Sequence, residues 1–142
     1  MGNIFFGSYP RNLDEKGRLL LPSALFGKEA PASLYILRGF DGCLSVYLED
    51  RFQELLSELA SLNQRDPGDR AYLRIVSASM KQLKVDAHGR VLLGVDTLHE
   101  YGLGNEVLVN GAIDHIEIWD KAAFDAYRLH NGSGIDFAVG RS

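Results

Sequence analysis

LDEKGRLLLP, residues 13–22, recurs as VDAHGRVLLG, residues 85–94, a shift of 72 positions. At that shift Asp14 falls on Asp86, Gly17 on Gly89, Arg18 on Arg90, and Leu20 and Leu21 on Leu92 and Leu93. Without a gap the register continues, Gly39 meeting Gly111, Val46 meeting Ile118, Tyr47 meeting Trp119 and Phe52 meeting Phe124. The period exceeds the ~20–50 residues of solenoid repeats, so two copies of one small domain, packed as an intrachain pseudo-dimer, account for it better. Beyond apolar positions, both copies keep D-x-x-G-R, and function is sought there.

Each copy reads as strand, loop, strand, short helix, hairpin, helix, a mixed α+β pattern. Asp14 to Gly17 interrupts two apolar stretches. Asp supports tight turns through its side chain and Gly supplies positive φ. Leu19-Leu20-Leu21 is apolar without alternation, the pattern of a strand buried on both faces. Pro22 ends that strand and suits the start of a short helical segment. Leu34–Leu37 and Cys43–Tyr47 flank Gly39-Phe40-Asp41-Gly42 as a hairpin. Phe52, Leu55, Leu56, Leu59 and Leu62 recur at helical spacing within 49–63. Asp66-Pro67 is an N-cap followed by a first-turn proline, opening a helix to about Met80. The second copy repeats the layout: Val85–Leu93, a short helix near Thr97–Tyr101, strands at Glu106–Val109 and Ile116–Trp119, then a helix to about Leu129. The glycine-rich tail beyond is expected to be mobile. The division is therefore 4–64, a linking helix at 65–80, 81–129, and a tail at 130–142. A single copy lies in the range, below about 60 residues, where a lone domain is marginal; the second copy supplies the missing cover.

With 142 residues, 46% apolar and 24% charged, the chain has a globular composition. No apolar run approaches the ~20 residues that span a bilayer, and MGNIFFGSYPR does not read as a signal peptide. Cys43, the single cysteine, reads as a small core residue. The net charge of −4 opposes nucleic-acid binding until it is mapped. Residues 49–66 carry Glu49, Asp50, Glu54, Glu58 and Asp66 against Arg51 and Arg65, whereas Lys81, Lys84 and Arg90 outnumber Asp86 in 81–90. Arg11, Lys16 and Arg18 likewise outnumber Asp14 and Glu15. Acidity sits on the helices, and basic residues crowd the repeated loops.

NLDEKGRLLLP, LRGFDGCLSVY, KVDAHGRVLL and IEIWDKAAFDAY, in this order across about residues 4–128, resemble the MraZ family of bacterial regulators. The resemblance implies a tandem of SpoVT-AbrB swapped-hairpin units, assembly into ring-like homo-oligomers, and sequence-specific binding of double-stranded DNA through D-x-x-x-R. That pattern maps onto Asp14 with Arg18 and Asp86 with Arg90. It further implies a cytoplasmic, nucleoid-associated repressor of its own division and cell-wall gene cluster, acting at repeated promoter elements, with no enzymatic activity, cofactor or membrane. Among the positions that differ between the copies, Pro22 becomes Gly94 and Lys16 becomes His88.

The loop chemistry agrees. An arginine fork pairs bidentately with guanine O6 and N7 or with phosphate. An Asp four positions earlier across a tight turn orients it, and Lys16, His88 and Arg11 offer contacts that position without specifying. The competing reading is that Asp–Arg pairs beside Gly17 and Gly89 only staple hairpins, which fits an AbrB-like antitoxin or protein-interaction module. Other constellations carry less. His88, His99, His115 and His130 lack metal-ligand spacing. Ser133 between glycines has no preceding strand. Arg65, Arg70 and Arg74 read as a solvated helix face, and Tyr47 and Trp119 as paired core anchors.

Overall fold

The computed structural model describes residues 3–27 and 29–140, with the side chains of 133–140 outside that description. Among the described residues, eight strands and four α-helices follow in chain order: β1 (Ser8–Asn12), β2 (Arg18–Leu20), β3 (Ser33–Arg38), β4 (Leu44–Tyr47), α1 (Glu49–Ala60), α2 (Pro67–Ser79), β5 (Lys81–Lys84), β6 (Arg90–Leu92), α3 (Val95–Glu100), β7 (Glu106–Gly111), β8 (Ile116–Asp120) and α4 (Lys121–Gly140). A 3-10 turn at Ser23–Leu25 stands where the second copy has α3.

The copies exchange strands. The main sheet is antiparallel with order β1-β7-β8-β4-β3-β5, and β2 pairs with β6 in a separate ribbon. Replacing each strand by its repeat equivalent turns β1-β7-β8 into β5-β3-β4, so the order reads the same from either edge. Two junctions, β4 with β8 and β2 with β6, join an element to its own equivalent. Backbone bonds flanking the ribbon repeat this relation: Leu21 N–H donates to Gly89 O at 3.0 Å, and Leu93 N–H donates to Gly17 O at 2.9 Å.

The register is not strictly 72 residues throughout. Arg11 pairs with Val107, but its equivalent Leu83 pairs with Leu34, one position before the ungapped counterpart of Val107. Ile36 faces Val46, while Val109 faces Ile118, so the first hairpin is one residue longer. That residue sits in a tight turn where Asp41 and Gly42 take positive φ of 61° and 85°. The alignment of Gly39 with Gly111 therefore does not hold across β3. Inward positions must stay inward, so an insertion in the turn is compensated in the connection before the strand.

Leu19, Val91, Leu34, Ile36, Leu44, Val46, Val107, Val109, Ile116 and Ile118 form one core shared by both copies. Truncating any of these to Ala would cost about 2–5 kcal/mol for Leu and Ile sites. A second cluster seats α1 and α2 on the sheet through Leu37, Tyr47, Phe52, Leu59 and Val76, with Tyr35 stacked on Phe52 at 4.0 Å. Asp66 caps α2 by accepting from Asp69 N–H at 2.8 Å, and Pro67 occupies its first turn. Trp119 and Tyr47 are buried as anchors, and so is Cys43, whose thiol burial pushes up to about 12.

Two further expectations change. Leu19-Leu20-Leu21 is not buried on both faces: Leu19 is sealed, but Leu20 is 47% exposed, and its equivalent Leu92 is 54% exposed. A two-stranded ribbon lays one face on the core and leaves the other without a covering layer. The last helix, expected to end near Leu129, continues to Gly140, with Asn131 Nδ2 donating to Tyr127 O at 2.9 Å. The mobility expected of 130–142 concerns residues that lie largely outside the described side chains.

Candidate nucleic-acid interface

The two D-x-x-G-R loops form turns by the same hydrogen bonds. Gly17 N–H donates to Asp14 O at 3.0 Å, and Asp14 Oδ1 accepts from Lys16 N–H at 3.0 Å and Arg18 N–H at 2.8 Å. In the second loop Gly89 N–H donates to Asp86 O at 3.0 Å, and Asp86 Oδ1 accepts from His88 N–H at 2.8 Å and Arg90 N–H at 2.9 Å. Asp is the residue for this because its short carboxylate mimics a backbone acceptor two and four positions on. Gly17 at φ 79° and Gly89 at φ 78° occupy the left-handed region that costs a side chain energy. A Cβ on Gly17 would lie 3.2 Å from the Gly94 backbone, whereas on Gly89 it would meet only Leu20 Cδ1 at 4.0 Å.

The loops differ in how they hold their arginines. Arg18 Nε donates to Asp14 Oδ2 at 2.6 Å. Arg90 Nε stands 3.6 Å from Asp86 Oδ2, beyond a hydrogen bond, and has no partner among the described residues. Both carboxyls sit below the ordinary aspartate range. For Asp14 the Arg18 amide is the main cause, with the guanidinium adding to it, and for Asp86 the Arg90 amide is the main cause.

Each loop feeds its arginine into the β2–β6 ribbon, where Arg18 faces Leu92 and Leu20 faces Arg90 across the strands. Leu19 and Val91, opposite each other, point to the core with 0% and 1% exposure. Strand alternation therefore puts Arg18, Leu20, Arg90 and Leu92 together on the outer face. Arg11 lies beside this ribbon, its Nε donating to Leu20 O at 3.2 Å and its Nη1 to Pro10 O at 2.8 Å. Lys16 and His88 are exposed at the loop tips. The sequence-selected residues thus gather around one ribbon, whereas Arg65, Arg70 and Arg74 stay apart, on α2 and the turn before it.

Sequence reading passed over the two outer leucines, although both follow a repeated arginine by two positions. It also passed over a polar cluster that fixes α1 to the β7–β8 turn. Arg51 Nε donates to Asp114 Oδ2 at 2.8 Å; His115 contacts Asp114 at 2.8 Å and Glu117 at 3.3 Å; and Trp119 Nε1 donates to Glu117 at 3.0 Å. Burial of His115 favours the neutral ring, but the Glu117 and Asp114 carboxylates outweigh it and raise its value above the ordinary 6.5. This cluster buttresses the fold. Among the described residues no group of three or more His, Cys, Asp or Glu could hold a metal, and no helix is long and apolar enough to cross a membrane.

Comparison with known proteins identifies the family. The family described as "MraZ protein, putative antitoxin-like" matches residues 4–75 and 78–132. A protein of Rhodococcus jostii named transcriptional regulator MraZ is 36% identical over 137 residues, covering 96% of this chain and 95% of its own. One of Corynebacterium efficiens, with the same name, is 37% identical over 88% of this chain and 87% of its own. A more distant one, of Mesoplasma florum, is 29% identical over 94% and 91%. With the family pattern spanning both copies and relatives of this identity covering nearly the whole length, the chain belongs to the MraZ family.

Proposed function

We propose that the protein is a transcription regulator that binds double-stranded DNA and reads base edges with the outer face of the β2–β6 ribbon. The observation that carries this reading is the pair of repeat-related arginines set diagonally on that face. A B-form major groove admits a two-stranded ribbon. Diagonal neighbours lie ~7–8 Å apart, about two steps of the ~3.4 Å rise between stacked bases. Both guanidiniums therefore address one short stretch of groove. Arg18 and Arg90 take guanine O6 and N7, Asp14 and Asp86 orient them, and Gly17 and Gly89 supply the turn geometry. Lys16, His88 and Arg11 position the ribbon on flanking phosphates. The relatives' names support regulation of transcription and point to no enzymatic activity.

On this reading the two copies are swapped-hairpin units of the SpoVT-AbrB kind closed into an intrachain pseudo-dimer, which the palindromic strand order supports. A protomer of charge −4 attracts DNA weakly at long range. Binding strength then comes from a ring-shaped homo-oligomer presenting successive ribbons to repeated promoter elements, where effective concentration adds ~10²–10⁴ in avidity. The cytoplasmic, nucleoid-associated assembly represses its own division and cell-wall gene cluster. Gel shifts on DNA upstream of its own gene, beside light scattering of the purified protein, test this. The wild type shifts that DNA as an oligomer; Arg18→Ala with Arg90→Ala does not, with the fold intact. Wild-type affinity in the double variant rejects the contact assignment.

The 2.6 Å contact of Arg18 with Asp14 favours a second reading, in which the loops are hairpin staples of an interaction module. In that case losing the arginines lowers the melting temperature and leaves DNA binding unaffected.

A further inference from the structure

We infer that Leu20 and Leu92 are specificity-determining residues that read thymine C5-methyl groups in the major groove, beside the guanines taken by Arg18 and Arg90. The inference rests on the DNA-reading role proposed for the ribbon. On its outer face Arg18 stands opposite Leu92 and Arg90 opposite Leu20, an alternation of cation and apolar group in both directions. The leucines are 47% and 54% exposed, while their strand neighbours Leu19 and Val91 are sealed in the core. Leucine there lies outside the core cluster and leaves about half its surface in water, which a polar residue would avoid. Both copies nonetheless carry it at the same position, two residues after the repeated arginine.

The occupant follows from the neighbours. A second protein seated on these leucines would have to cover two guanidiniums as well. The major groove offers the matching pattern, anionic walls with acceptors on guanine and one apolar group per A·T pair, the thymine methyl. Along a strand, positions two apart are separated by ~6.6–6.8 Å, and directly opposed residues by ~4.5–5.5 Å. A leucine therefore sits one or two base steps of ~3.4 Å from the arginines beside it. The predicted element thus has G·C pairs next to A·T pairs with the thymine methyl facing the ribbon. Arg11, bonded to the Leu20 carbonyl, holds that strand from the side.

The test uses the full-length protein and the duplex that the wild type enriches from a random-sequence pool, together with a copy in which deoxyuridine replaces every thymidine. Affinity is measured for the wild type, for Leu20→Ala with Leu92→Ala, and for Leu20→Met with Leu92→Met, with melting temperature and light scattering alongside. Wild-type binding should weaken about fourfold for each methyl lost from contact, the equivalent of ~0.8 kcal/mol per buried methylene-sized group. The alanine variant should bind thymidine and deoxyuridine duplexes alike, keeping its fold and its sensitivity to Arg18→Ala, and the methionine variant should regain discrimination. Equal wild-type affinity for the two duplexes overturns the inference and leaves the DNA role standing. Discrimination undiminished in the alanine variant also overturns it, and a change in oligomeric mass in that variant assigns the leucines to a second copy of the chain. If the wild type enriches no duplex, the DNA role itself fails, and the inference fails with it.

Discussion

The loop at residues 14–18 and the loop at 86–90 share every backbone hydrogen bond of their turns yet treat their arginines differently. Asp14 grips Arg18 through Nε at 2.6 Å, whereas Arg90 Nε is 3.6 Å from Asp86 and unpartnered among the described residues. The first loop also lies against the Gly94 backbone, and the second has room beside its glycine. A duplicated motif thus preserves the frame of the turn more strictly than the tension within it. Gripping Nε leaves the Nη edge of Arg18 aimed in one direction, so Arg18 comes to a groove already oriented. Arg90 must give up more side-chain freedom on binding.

The largest expected effect tests whether the two loops are both readers. Removing a bidentate base contact costs ~1–3 kcal/mol, so Arg18→Ala and Arg90→Ala should each lower specific affinity about 5- to 150-fold by anisotropy titration. The combined variant should lose close to the product. A combined loss no larger than one single loss would mean that only one loop touches DNA.

Asp→Asn separates grip from frame. Asparagine keeps the Oδ1 that accepts the turn amides and removes the charged oxygen that holds Nε. Asp14→Asn should therefore weaken DNA binding several-fold, by up to the ~0.5–1.5 kcal/mol of one ordered side chain, while Asp86→Asn changes it less. Equal losses would show that the difference in grip has no bearing on recognition.

Valine in place of either glycine should be destabilising by about 1 kcal/mol or more, because φ is positive at both. Gly17→Val should cost more than Gly89→Val, since its Cβ meets backbone at 3.2 Å. Urea unfolding of the pair measures this, and the reverse order would mean that the contact with Gly94 yields easily.

The smallest effects are electrostatic. Lys16→Ala should reduce the salt slope of DNA binding by about one unit. In carboxyl titrations Asp14 and Asp86 should both fall below 3.8. Folded values so depressed add stability above pH 3.8 that is lost only as pH falls through them. His115 has the opposite sign. Its contribution is complete below 6.5 and fades as pH rises through its raised folded value. Stability that stays flat from pH 6 to 9 would remove His115 from the buttress.

Much of this was legible before the structure. The repeat, both turns, the helix cap at Asp66 and the amphipathic Phe52–Leu62 stripe are local signals, and local chemistry decides them. Strand exchange is not local. Nothing in β1 says that its partner is β7 and not β3, because both are six-residue strands rich in buried apolar residues. Leu20 was misjudged because an unbroken Leu19–Leu21 run looks the same whether the ribbon has one covering layer or two. The single-residue insertion in the first hairpin escaped notice because its compensation lies upstream, leaving the flanking motifs at a constant shift. The Arg51–Asp114–His115–Glu117 cluster joins α1 to a turn more than sixty residues away, a proximity that spacing does not encode.

Strand exchange also governs when the chain can fold during synthesis. The outer strand β1 closes on β7, with Ser8 Oγ bonded to Asn110 Oδ1 across 102 positions, and β2 waits for β6. N-terminal units commonly fold as they leave the ribosome, but here the first half emerges with its edges open and its ribbon strand unpaired. Such long closures fold slowly, and the exposed edges invite a neighbouring nascent chain to supply the missing strands. The short link through α2 favours the chain's own second half, because tethering keeps it at high local concentration. Duplication within one polypeptide thus acts as a safeguard against pairing with the wrong molecule.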